Sequence, residues 1–77
     1  DLTKANLTNT NLTNANLSGA ALINTDLTNA NLSGVNLSGA DLDLANLTGV
    51  SLTGVNLTGV IWSNTTCPDG SVTNTGC

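Results

Sequence analysis

Residues 46–60 read Asn46-Leu47-Thr48-Gly49-Val50-Ser51-Leu52-Thr53-Gly54-Val55-Asn56-Leu57-Thr58-Gly59-Val60, a five-residue phrase stated three times. The phrase extends backwards without a break, with leucine at every fifth position from Leu2 to Leu57. Neither regular element can bury such a pattern. A helix advances about 100° per residue, so leucines five apart wander round the cylinder and form no stripe. In a flat strand the odd period sends successive leucines to opposite faces. The chain must therefore turn once per unit and wind into a solenoid.

The other positions sort around the leucine. Two residues before it stand Ala5, Ala15, Ala20, Ala30, Ala40 and Ala45, Val35, Val50, Val55 and Val60, with Thr10 and Thr25. By alternation this position shares the leucine's inward face, which explains its small size. The two flanking positions point outward and are mostly Asn or Asp before the leucine and Thr or Ser after it. The fifth position makes the corner, with Asn9, Asn14, Gly19, Asn29, Gly34, Gly39, Gly49, Gly54 and Gly59. Asn and Gly tolerate the positive φ that a type II turn needs at its third residue.

The exceptions carry the most information. Lys4 and Leu44 break the corner rule eight units apart, a number divisible by four but not by three. Ala21 and Ile23 fall in the fifth unit, Asp41 and Asp43 in the ninth, Ile61 in the thirteenth. These are one side of a four-sided coil of 20 residues per turn. Irregular corners are expected on this side, with Ile23 and Leu44 projecting outward. Exposed aliphatics beside charges mark Ile23, Leu44, Asp41, Asp43 and Ile61 as a candidate protein-contact side.

The units Ala5-Asn6-Leu7-Thr8-Asn9, Ala15-Asn16-Leu17-Ser18-Gly19 and Ala40-Asp41-Leu42 resemble the A(D/N)Lxx pattern of the pentapeptide-repeat family. The likeness covers about four-fifths of the chain. It implies an all-β fold, a right-handed quadrilateral β-helix with short parallel strands stacked about 4.8 Å apart. The expectation is about three coils of 20 residues over residues 1–62, followed by a C-terminal capping tail over residues 63–77. Such families abound in bacteria, and in cyanobacteria in particular.

The ends of the series are readable too. Trp62 takes the leucine position after the interior has widened with Val50, Val55 and Val60, and its indole can roof a coil that nothing else covers. Cys67, Val72 and Cys77 keep the leucine phase. If the coil continued, the two cysteines would lie on opposite sides, beyond the roughly 4.4–6.8 Å between Cα atoms that a disulfide spans. Either the thiols are free and inward, or the tail leaves the coil and closes as a loop. The latter is favoured, because Cys67-Pro68-Asp69-Gly70 suits a type I turn and paired cysteines suit a small chain in an oxidising compartment. This places the protein outside the cytoplasm, in the periplasm or the thylakoid lumen. The start in mid-repeat at Asp1-Leu2 points to a processed or excised piece, and an open first coil invites end-to-end self-association.

Chemistry is sparse. The net charge is −4 with a single Lys and no His, so nothing neutralises nucleic-acid phosphates. No apolar stretch is long enough to span a membrane. The numerous Asn-x-Ser/Thr triplets are by-products of the outward positions, and Asp41-Leu42-Asp43 lacks convergent partners for a metal or acid–base chemistry. No Ser-His or Cys-His pair can form. The reading is a non-enzymatic structural or protein-binding module without a cofactor. One alternative, taken from the family resemblance, is a DNA mimic acting on type II topoisomerases, although Asn fills the positions where Asp would be required. The other is an ice-binding or water-ordering face built on the Thr8, Thr28 and Thr48 column, with a lattice of about 4.8 by 6.5–7 Å.

Overall fold

A computed structural model describes residues 1–77. Each repeat is a tight turn. The amide of the residue three after every in-phase leucine donates to that leucine's carbonyl, as in Ala5 to Leu2 at 2.9 Å and Ala40 to Leu37 at 2.9 Å. The third residue of each turn has positive φ, for example Asn14 at 62° and Gly49 at 75°. These are the two marks of a type II turn. The corners expected to be irregular are not: Lys4 stands at 65° and Leu44 at 60°, within the range of the Asn and Gly corners. The left-handed region costs an ordinary residue about 1–2 kcal/mol. At Leu44 that cost is offset by its own amide bonding Ser63 O at 2.8 Å and by the turn bond from Ala45 N to Leu42 O at 3.0 Å.

After twenty residues the chain returns to its own edge. Asn6 pairs in parallel with Asp26, Asp26 with Asn46, and Asn46 with Thr66; Asn16 pairs likewise with Asn36, and Asn36 with Asn56. Because the turn takes four residues of five, only one per unit has both its N–H and C=O in the ladder. The parallel strands are therefore single-residue bridges. The outward Asn or Asp braces each junction, its Oδ1 accepting the backbone N–H two residues on, at 3.0 Å from Thr13 to Asn11 and 2.9 Å from Ser38 to Asn36. This is an Asx turn repeated along the coil.

One side departs from the pattern. No backbone hydrogen bond joins residues 31–34 to residues 51–54, although the same side is bridged from Asn11 to Asn31. At this place Ser51 stands where Asn is usual, and its Oγ lies 3.4 Å from Thr53 N. Loss of the side-chain carbonyl is not the whole reason, since Ala21 and Ile61 also lack one and keep their bridges to Asp41.

The leucines form the core. Leu22, Leu27, Leu32, Leu37, Leu42 and Leu47 are fully buried with Val35, Ala40 and Ala45 between them, while leucines nearer either end are half-buried. Two threonines are buried at inward positions without leaving an unpaired hydroxyl. Thr25 Oγ1 donates to Leu2 O and Thr65 Oγ1 to Leu42 O, both at 2.7 Å. Satisfied in this way, a hydroxyl is tolerated in the interior.

The ladder runs past Trp62, with Leu47 N bonded to Thr66 O at 2.9 Å and Gly49 N to Pro68 O at 3.0 Å. The chain then reverses. Strand β1 (Thr65–Thr66) pairs antiparallel with β2 (Val72–Thr73), Thr65 opposite Thr73 and Thr66 opposite Val72. Gly70 N bonds Cys67 O at 2.9 Å, Cys67 N bonds Ser71 O at 2.6 Å, and Gly70 has φ 89°. This is a type I turn followed by a left-handed glycine, the hairpin with a G1 bulge. Cys67 and Cys77 are joined by a disulfide with Cα atoms 5.5 Å apart.

Candidate functional site

Four columns of side chains run up the solenoid, and one differs from the rest. Its corners are Lys4, Asn24, Leu44 and Asn64, with no glycine among them. Elsewhere Asn14 and Asn29 are each followed above by glycine: a Cβ on Gly34 would collide with Asn14 Oδ1, and one on Gly49 with Asn29 Oδ1. The distinct side thus carries a side chain at every corner. On it Asp41 bridges Ala21 below and Ile61 above. Leu44 is 50% exposed and Ile61 52%. Ile23 is only half-buried, lying between the levels of Thr3 and Asp43, which Lys4 N to Ile23 O and Asn24 N to Asp43 O define. Asp41 and Asp43 are half-buried as well, and Asp41 Oδ1 accepts the Asp43 N–H at 3.0 Å. The structure therefore brings Ile23, Asp41, Asp43, Leu44 and Ile61 onto one face. No group of three or more His, Cys, Asp or Glu side chains is placed to hold a metal.

On the neighbouring side the threonine column is engaged internally. Thr8 Oγ1 donates to Asn6 Oδ1 at 2.8 Å, Thr28 Oγ1 to Asp26 Oδ1 at 2.6 Å, and Thr48 Oγ1 to Asn46 Oδ1 at 2.6 Å. A hydroxyl has a single proton to give, so this face offers solvent acceptors rather than hydroxyl donors. The Thr28 hydroxyl, and after it the Thr28 backbone N–H, hold the Asp26 carboxyl below the ordinary aspartate range.

A second feature lies at the C-terminal end. An open cavity of about 450 Å³ is lined by Leu52 and by the tail residues Cys67, Pro68, Val72, Gly76 and Cys77. Trp62 packs against the leucine core, and Gly76 rests on its indole, where an added Cβ would stand 3.5 Å from Nε1. The Ser71 hydroxyl and then the Ser71 N–H lower the Asp69 carboxyl from its usual range. Sequence reasoning did not find this cavity. The signal was Val72, in phase with the leucines yet 62% exposed.

Comparison with known proteins places this geometry. The family model for pentapeptide repeats matches residues 1–29 and 25–64, in eight copies. The chain belongs to the pentapeptide-repeat family. Among solved structures it is similar to the pentapeptide-repeat protein Rfr23 from the cyanobacterium Cyanothece 51142, at 48% identity over 75% of this chain and 40% of that one, TM-score 0.75. It is similar to HetL from Nostoc sp. strain PCC 7120, described as involved in heterocyst differentiation regulation, at 34% identity over 95% of this chain and 38% of that one, TM-score 0.65. A third neighbour is AT2G44920 from the Arabidopsis thaliana thylakoid lumen, at 27% identity over 84% of this chain and 48% of that one, TM-score 0.61. No curated protein matches the chain. The chain thus spans less than half the length of these pentapeptide-repeat proteins. The likenesses imply the family's right-handed quadrilateral β-helix, in agreement with the twenty-residue return of the ladder.

Proposed function

We propose that this pentapeptide-repeat chain is a non-enzymatic, protein-binding solenoid. About three coils of 20 residues over residues 1–62 form the rigid body, closed by the capping tail at residues 63–77. Its contact surface is the side bearing Ile23, Asp41, Asp43, Leu44 and Ile61. The observation that carries this is the placing of Leu44 and Ile61, each about half exposed, on the one side where the Asn/Thr/Gly ladders fail. Side chains of that kind give a partner apolar area to bury, with Asp41 and Asp43 to fix orientation. Replacing Ile23, Leu44 and Ile61 together by Ser should abolish partner retention from an extract of the source organism, read as loss of specific prey bands. If the same proteins are retained by the variant and the parent, the reading fails.

An exported location, in the periplasm or thylakoid lumen, is supported by the disulfide and by the lumenal neighbour. A second reading, stacking of residues 1–20 on the strand edge of another copy, has support in Asn6, Asn11 and Asn16, whose backbone groups take no backbone partner within the chain. Sedimentation across a concentration series separates the two, since only the second predicts association of the pure protein. The topoisomerase and ice-binding alternatives have their own assays, DNA supercoiling and thermal hysteresis, and the spent hydroxyl protons of Thr8, Thr28 and Thr48 weigh against the latter.

A further inference from the structure

We propose that the Cys67–Cys77 disulfide is a switch that holds residues 70–74 off the end of the solenoid, and that its reduction lets them dock there as a further repeat unit. This goes beyond the binding reading and does not depend on it. Gly70-Ser71-Val72-Thr73-Asn74 lies twenty residues after Val50-Ser51-Leu52-Thr53-Gly54 and matches it position by position. A small residue is followed by Ser, then an aliphatic residue in the leucine phase, then Thr, then a corner-competent Asn.

The place for this unit is unfilled. Leu52 N, Gly54 N and Val50 O, the groups that would meet the next level of the ladder, have no backbone partner. Leu52 and Val72 both line the open cavity of about 450 Å³. In the register that Leu12 N to Asn31 O, Asn14 N to Ser33 O and Asn31 N to Thr10 O set on this side, Leu52 N would bond Ser71 O, Gly54 N would bond Thr73 O, and Ser71 N would bond Val50 O. Val72 would then cover Leu52. In the present hairpin Ser71 O is taken by Cys67 N, and Ser71 N by Asp69 Oδ1 at 2.9 Å.

The two arrangements part at residues 69 and 70. The ladder is still in register at Thr66 O and Pro68 O. A repeat corner needs positive φ at residue 69, and the hairpin has it at Gly70 instead. Pro68 is no obstacle. In the other units the N–H at that position bonds the Asx side chain, not the ladder, as Thr48 N bonds Asn46 Oδ1.

The two states exclude each other. Cysteines ten residues apart occupy opposite sides of a four-sided coil, whereas the disulfide holds their Cα atoms at 5.5 Å. Switching is a two-electron exchange. A dithiol reductant attacks the disulfide, both sulfurs leave as thiols with two protons taken up, and the dithiol is oxidised to its own disulfide. Cys67 is buried and Cys77 exposed, so Cys77 sulfur is the accessible point of attack.

The test is amide exchange and proton NMR on the whole chain, oxidised and then reduced with dithiothreitol, with Cys77→Ser as the locked-open variant. Reduction should slow exchange of the Leu52 and Gly54 amides at least about tenfold, create a Val72–Leu52 methyl contact, and remove the Thr66–Val72 cross-strand contact. Asp69→Gly, which frees the corner conformation, should increase the slowing in the reduced protein. If Leu52 and Gly54 exchange no more slowly after reduction, the proposal is overturned, whether the hairpin persists or the tail becomes disordered. Loss of protection throughout the leucine core on reduction overturns it as well. Should Cys77→Ser fail to fold, reversible reduction of the unaltered chain decides.

Discussion

Replacing Ser51 by Asn should stabilise the protein, because it supplies a brace at a junction between coils where the backbone ladder is open. In the units that carry Asn or Asp before the leucine, Oδ1 accepts the N–H two residues on, at 3.1 Å for Asn6 and 2.9 Å for Asn36, whereas Ser51 Oγ stands 3.4 Å from Thr53 N. A full hydrogen bond here contributes about 1 kcal/mol. Drawing the strand back into register would also pair Leu32 N, Gly34 N and Ser51 N, which now have no backbone partner. Each such bond is worth about 0.5–1.5 kcal/mol net, less where water already serves the group. The expected gain is about 1 kcal/mol from the brace alone and about 2–3 kcal/mol if the ladder closes. For a chain this short that raises the melting temperature by about 4–8 °C per kcal/mol. Urea unfolding followed by Trp62 fluorescence measures the stability, and exchange of the Leu32 amide reports the ladder. Ser51→Ala is the control and should stay within about 0.5 kcal/mol of the parent. A folded Ser51→Asn protein that is no more stable, with Leu32 exchange unchanged, would refute the idea that the brace governs this junction.

The core makes a graded prediction. Leu32→Ala, at a fully buried position, should cost about 2–5 kcal/mol. Leu12→Ala, in a half-buried place, should cost about 1–1.5 kcal/mol, and equal losses in denaturant melts would contradict an interior that thins toward its ends. At low pH the tail should loosen first around Asp69. Its lowered folded pKa means that the stabilisation is present above the unfolded value of about 3.9 and is lost as pH falls through the folded value. Carboxyl NMR should place the Asp69 midpoint below that of a free aspartate, and Ser71→Ala should move it back up; an unmoved midpoint would remove the Ser71 hydroxyl as the cause.

Much of the architecture is legible because it follows from a counting argument. An odd five-residue period admits no helix stripe and no flat strand, and the spacing of Lys4 and Leu44 selects four units per turn, as the pairing of Asn6 with Asp26 reproduces. The same reasoning misjudged the corners at Lys4 and Leu44. Local preference disfavours a left-handed Leu, but the amides of Leu44 and Ala45 are committed to Ser63 and Leu42, and these non-local bonds fix the backbone. The open junction at Ser51 was illegible for the converse reason: Ala21 and Ile61 lack the brace equally and keep their bridges. On the candidate face, phase set Ile23 and Leu44 outward, and Leu44 is half exposed. Phase could not show that Ile23, between the levels of Thr3 and Asp43, is more sheltered than a corner residue such as Leu44.

The end of the series shows how little separates a coil from a cap. Loss of leucine does not end it, since the ladder continues through Trp62 to Pro68 and Cys67 is as buried as a core residue. What changes is the position of the residue with positive φ. In Leu47-Thr48-Gly49-Val50 the left-handed residue is third, at φ 75°, and the chain goes on around the corner. In Cys67-Pro68-Asp69-Gly70 the glycine is fourth, at φ 89°, and the chain folds back on itself. Gly enters the left-handed region more readily than Asp, so displacing the glycine by one position favours reversal over continuation. The disulfide adds a constraint that only the reversed chain satisfies. Since Val72 and Asn74 keep the repeat's phase beyond that point, the hairpin is a local decision at residues 69 and 70 imposed on a sequence still written as a solenoid.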